Sequence, residues 1–192
     1  MLTACAVIPV QAVVQNNNGN RIIKIADSYF DKAQKAEDKK TRISYFQKAC
    51  ERYYMQTQLT PKDVYPYIQM GRIYTIEKKS NLAKEYLSIA IGLEPNNANV
   101  NYYFGEFYFS NRKYTIALEY YNKAYNNGMN TDAGLNLKLA QTYEKLGDIL
   151  KSNFYYKKAY MLDKFNEDLA DKIRDLESIK YKNTGYYDKN KK

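Results

Sequence analysis

A small residue followed three positions later by an aromatic recurs along this chain at nearly constant spacing, and no other feature restricts the fold as tightly. The pairs are Gly71 and Tyr74, Gly105 and Tyr108, and Ala140 and Tyr143, so successive copies stand 34 and then 35 residues apart. Beginning 12 residues after each small residue comes a second set: Ala83, Leu87 and Ala90; Ala117, Tyr121 and Ala124; Ser152, Tyr156 and Ala159. Two apolar stripes at helical spacing, joined by a short turn, predict an antiparallel helix hairpin. Gly or Ala is needed where the two helices approach closely, and Tyr and Leu fill the space beside that contact. One face of each hairpin then stays apolar until the next hairpin covers it.

The first copy resembles the tetratricopeptide repeat. Tyr67, Met70-Gly71, Tyr74, Ala83, Leu87, Ala90 and Pro95 follow that family's order of aromatic, Leu-Gly pair, Tyr, Ala, large apolar residue, Ala and Pro. The resemblance implies an all-α fold, a right-handed α-solenoid of stacked antiparallel helix hairpins. Later copies depart from the pattern at Asn101 and Asn136, which replace the first aromatic, and at Met129 and Lys164, which replace the proline. These departures predict weaker turns. The extra residue of the last copy is expected between Asn126 and Gly134, where Gly128 and the asparagines accommodate it.

Caps set the helix limits. Thr60-Pro61-Lys62-Asp63 offers an N-cap, a proline at the first helical position and a carboxylate in the first turn, and Asn97 and Thr131 are expected to open the next two hairpins. Ala26 and Tyr29 begin an earlier, degenerate copy whose Phe46 and Ala49 fall four residues late, as one added helical turn would place them. Helices near 20–37 and 40–58 follow. Leu169, Ile173 and Leu176 among carboxylates and basic residues predict a capping helix with a polar outer face. The expected organisation is therefore a leader and linker over 1–19, a degenerate hairpin over 20–59, three repeats over 60–164, a cap over 165–181 and a basic tail over 182–192.

Composition narrows the function. Histidine is absent from the 192 residues, which removes Ser/His/Asp and Cys/His nucleophile systems and histidine-held metals. The eight glycines lie too far apart to draw a phosphate-cradling loop. No catalytic residue, metal ligand or cofactor is predicted, and the chain is read as non-enzymatic. Glu167, Asp168 and Asp171 cluster where negative charge favours a helix N-terminus. Phe104-Gly105-Glu106-Phe107-Tyr108-Phe109 has aromatics around a glycine as an RNA-recognition strand does, but it lies at helical period between matching repeats, so no specific nucleic acid is expected.

Residues 1–20 carry no charge and open with an apolar run containing Val10-Gln11-Ala12, a small-x-Ala pattern that predicts an export leader cleaved near Ala12 and an envelope or periplasmic location. Leu2-Thr3-Ala4-Cys5 also resembles a bacterial lipobox, and a plain apolar end on a cytoplasmic protein is the third reading. Cys50 is expected to be a small buried hydrophobe.

In the family that the repeats resemble, the first helices of successive hairpins line a concave groove that receives peptides or helices of partner proteins. The groove candidates that follow are Tyr65, Ile68 and Arg72 in one hairpin, Asn99, Tyr102, Tyr103, Glu106 and Phe109 in the next, and Lys138 and Gln141 in the last. Tyr102, Tyr103 and Phe109 make its middle aromatic, the residue type favoured at contact surfaces. The paired Lys and Asn residues with which some members hold a C-terminal carboxylate have no counterpart, which leaves apolar and aromatic capture of a protein or peptide. The rival reading uses the tail. Net charge is +9, and Lys180, Lys182, Lys189, Lys191 and Lys192 against Asp188 place +4 beyond residue 179. An adaptor for a polyanionic or membrane surface would draw its affinity from there.

Overall fold

The computed structural model describes residues 19–164 and 166–183, and all regular structure among them is helical. The leader, its cleavage site, Cys5 and the tail from residue 184 onward lie outside the described residues. The chain divides after Pro95 into two compact units. The first holds α1 (Gly19–Lys35), α2 (Lys39–Leu59), α3 (Val64–Ile76) and α4 (Ser80–Leu93). The second holds α5 (Ala98–Ser110), α6 (Tyr114–Ala124), α7 (Ala133–Lys145), α8 (Ile149–Leu162) and α9 (Glu167–Asn183). Within each unit every helix packs on its neighbours in the chain. The helix α9 lies where the amphipathic stripe of Leu169, Ile173 and Leu176 predicts a helix and packs on α8; Asn166 opens it, its side chain accepting from the Leu169 N–H at 3.2 Å.

Short acidic and amide side chains start these helices by accepting the first free N–H groups. Asp38, Asn97 and Asp148 accept from Thr41, Val100 and Lys151 at 2.8, 3.1 and 3.0 Å. Two predicted starts move. Thr60 closes α2 instead, its N–H donating to the Gln56 carbonyl at 2.8 Å, and Asp63 caps α3 through the Tyr65 N–H at 3.0 Å. Asp132, not Thr131, caps α7 by accepting from Leu135 at 2.6 Å.

The columns read from the sequence form the core. Ala83, Leu87, Ala90, Ala117, Tyr121, Ala124, Ser152, Tyr156 and Ala159 are all buried, as is Cys50. A Cβ on Gly71 would lie 2.5 Å from Leu87 Cγ, and one on Gly105 would lie 2.5 Å from Tyr121 Cδ1, so both glycines are imposed by helix contact. Asn101 and Asn136 strengthen the turns they were expected to weaken. Both are fully buried, and their side-chain amides donate to the Asn97 and Asp132 carbonyls at 2.8 and 2.7 Å, tying each helix to its own cap residue. The extra residue of the last copy is taken up where expected, in a π turn over Tyr125–Met129 with Gly128 at φ 111°.

The 22 tyrosines have a structural explanation in part. Tyr74–Tyr86, Tyr108–Tyr120 and Tyr143–Tyr155 each stack with centroids 5.5 Å apart, at equivalent places in three hairpins. Tyr29–Tyr45 repeats the stack in the first hairpin at 6.2 Å. Its members are 16 residues apart rather than 12, which locates the added helical turn.

The turn inside each of the three later hairpins uses one left-handed residue, seven positions after the small residue: Lys78 and Arg112 at φ 59° and Gly147 at φ 83°. A Cβ in that region costs about 1–2 kcal/mol, partly offset by glycine's greater freedom when unfolded. Lys78→Gly and Arg112→Gly are each expected to stabilise the protein by about 0.5–1 kcal/mol in urea unfolding, and unchanged midpoints would show that these turns carry no strain.

Candidate binding surface

Neighbouring hairpins of the second unit meet through a carboxylate that serves two partners. Glu106 on α5 accepts a hydrogen bond from the Tyr121 hydroxyl of α6 through one oxygen and pairs through the other with Lys138 of α7, 2.9 Å away. Glu144 on α7 accepts from Tyr156 of α8 at 2.8 Å and pairs with Lys172 of α9 at 2.7 Å. In the first unit Asp27 on α1 accepts from both Tyr53 of α2 at 2.5 Å and Tyr65 of α3 at 2.9 Å. On α3 the Arg72 guanidinium lies 4.4 Å from the centroid of Phe30.

Protonation follows from this wiring. Burial, reinforced by Glu106, pushes the Tyr121 hydroxyl well above the ordinary range, and burial with Glu144 does the same to Tyr156. Burial and the bond to Asp27 push Tyr65 up to about 12. Burial alone would raise Glu144, but the hydrogen bonds from Lys172 and Tyr156 outweigh it and leave its pKa lowered. At neutral pH these hydroxyls therefore keep their protons and Glu144 keeps its charge. Each hydroxyl therefore acts as the donor that joins its helix to the carboxylate of a neighbouring one.

The aromatic candidates divide. Tyr102 and Phe109 are half-buried and pack against the core formed by Ala117, Tyr121, Ala124, Leu135 and Leu139. Tyr102 stands edge-on to Tyr103 at 5.1 Å and tilted against Tyr121 at 5.9 Å. Phe109 lies 5.6 Å from the Lys138 ammonium. Tyr103 and Gln141 are partly accessible, and Asn99 is exposed beside them. In the first unit Tyr65 is exposed and Arg72 partly so, but Ile68 is only 4% accessible. Ile68 is therefore withdrawn from the surface: α3 is packed by both α2 and α4, and this side chain belongs to the core between them. Sequence reading named Glu106 and Lys138 but missed that each carboxylate is shared with a tyrosine, although a tyrosine at 121 and 156 where the first copy has Leu87 was the signal.

No helix among the described residues is long and apolar enough to cross a membrane. No group of three or more Cys, Asp or Glu side chains among them is placed to hold a metal ion.

A tetratricopeptide-repeat family model matches residues 64–97 and 133–166. These two hairpins are tetratricopeptide repeats. The second hairpin, α5 with α6, falls between them and shares their small-residue columns, turn geometry and stacked tyrosines. Solved structures agree on the fold. The crystal structure of MamA protein aligns at a TM-score of 0.61 and 21% identity over 86% of each chain. Pseudomonas aeruginosa pilF aligns at 0.69 and 15% identity, covering 84% of this chain and 72% of that one. MamA from Desulfovibrio magneticus RS-1 aligns at 0.63 and 19% identity over 81% and 85%. A comparison with curated protein sequences finds no match. At these identities the likeness is one of fold, and the repeats carry with it the role of a protein-interaction scaffold.

Proposed function

We propose that this tetratricopeptide-repeat chain is a non-enzymatic scaffold that captures a partner peptide or helix on the α5–α7 face, in the assembly or organisation of a bacterial envelope complex. The observation that supports it most is Tyr103, an accessible aromatic held edge-on by Tyr102. Tyr102 is itself anchored on the core, so the ring pair is set in place before a partner arrives. A preset aromatic loses little conformational freedom on binding and is the side chain most often dominant at contact surfaces. Glu106 and Lys138 satisfy one another beside it, so the face offers a neutral aromatic patch with a polar rim of Asn99 and Gln141. The envelope location rests on the apolar opening of the chain and its small-x-Ala pattern.

Tyr103→Ala is expected to weaken capture of the native partner by about 1–2 kcal/mol while leaving the fold intact. Pull-down from native extract followed by titration of the captured protein measures it. Capture that is unchanged by the substitution, or that vanishes in moderate salt and on removal of residues 184–192, would move recognition to the basic tail. Mature protein retaining Met1 in the cytoplasmic fraction would end the envelope assignment.

A further inference from the structure

Leu150, Phe154 and Met161 on α8 are 66%, 60% and 70% accessible, more than any other large apolar side chain described. At about 100° per residue they fall within about 40° of one another, a single row some 16 Å long. The rest of the repeat array treats this row differently. The equivalent residues are Asn81, Glu85 and Gly92 on α4, and Thr115, Glu119 and Asn126 at and just beyond α6, all exposed. The apolar row is thus confined to one helix, and no demand of the repeat fold accounts for it.

We propose that this face of α8 docks on an anionic lipid surface. Charge favours this occupant: α8 contains Lys151, Lys157 and Lys158 and no carboxylate of its own. Although Lys151 pairs with Asp148, Lys157 with Glu177 of α9, and Lys158 donates to the Tyr125 hydroxyl, residues 145–164 still carry five lysines against two aspartates. Lys157 lies within the row, its ammonium drawn aside to Glu177 at 2.5 Å, so its methylene stem extends the apolar strip. Two such faces in a symmetric dimer would oppose like charges. A partner helix needs holes to receive knobs, whereas these side chains project into solvent, and a fluid lipid interface accepts projecting side chains without matched shape. A row of Leu, Phe and Met on a lysine-bearing helix suits insertion at the headgroup boundary.

The chain contains no tryptophan, so Phe154→Trp supplies a single reporter in the full-length protein. Mixed with phosphatidylglycerol/phosphatidylcholine vesicles, that variant is expected to shift its emission to the blue, and the wild type to sediment with them at least tenfold more than with phosphatidylcholine alone. Leu150→Ser with Phe154→Ser and Met161→Ser, checked for helicity, is expected to reduce sedimentation about tenfold. Emission that stays that of a water-exposed ring while the protein sediments would assign binding to another segment and overturn the proposal. So would sedimentation equal to wild type in the triple variant, or loss of sedimentation only on removing residues 184–192. Absence of vesicle binding, with a dimer in light scattering that the triple variant abolishes, would give the face to a second copy instead.

Discussion

Tyr121→Ala is expected to destabilise the second unit by about 3–5 kcal/mol, a large part of the stability of an ordinary domain. Tyr121 is fully buried between α5, α6 and α7, and its removal opens a ring-sized cavity against Gly105, where helix contact leaves little room for collapse. Its hydroxyl also supplies one of the two contacts that satisfy Glu106. Tyr121→Phe separates the terms, since it keeps the ring and removes only the hydrogen bond, at an expected cost of about 1–3 kcal/mol. Urea unfolding of the three proteins gives both values. An alanine variant within about 1 kcal/mol of wild type would mean that this ring is not the centre of its unit.

The same substitution at two glycines is expected to act in opposite directions. Gly105→Ala gains helix propensity worth at most about 1 kcal/mol but drives a Cβ to 2.5 Å from two atoms of the Tyr121 ring, which is buried and cannot retreat. Overpacking of that kind costs about 1–3 kcal/mol or more, so the net effect is destabilising. Gly92→Ala near the end of α4 meets nothing within 4 Å and is expected to stabilise by about 0.5–1 kcal/mol. Thermal melts of the pair decide the matter, and equal shifts would show that the glycines answer to propensity rather than to contact.

The hairpins were legible because their contact columns hold small and aromatic residues whatever surrounds them, as Gly71, Gly105 and Ala140 do. Cap positions were less so. Several cap-competent residues stand side by side at 60–63 and 131–132, and only backbone conformation separates them: Asp63 takes the extended geometry of a cap, with ψ 115°, while Thr60 finishes the helix before it. Ile68 shares a column with Tyr102 and Leu137, yet it is buried and they are half-buried. Burial depends on what packs beside a hairpin, and α2, at 21 residues against 14 for α4, is longer than the repeat pattern anticipates. The row on α8 lies outside the contact column of Ser152, Tyr156 and Ala159, and only accessibility shows that Leu150, Phe154 and Met161 face solvent together.

The shared carboxylate shifts along the array. Glu106 and Phe109 on α5 become Gln141 and Glu144 one hairpin later, so the acid moves by one helical turn while the tyrosine that bonds it stays in its column. Each junction is thus a lock cut to its own key. Lys138 answers Glu106, and Lys172 answers Glu144 from a different place on a different helix. Two hairpins of one shape cannot exchange places without leaving a half-buried carboxylate facing no cation. The chain therefore carries an address for each module, and a duplicated or transposed hairpin would meet its neighbour with that carboxylate left without its cation.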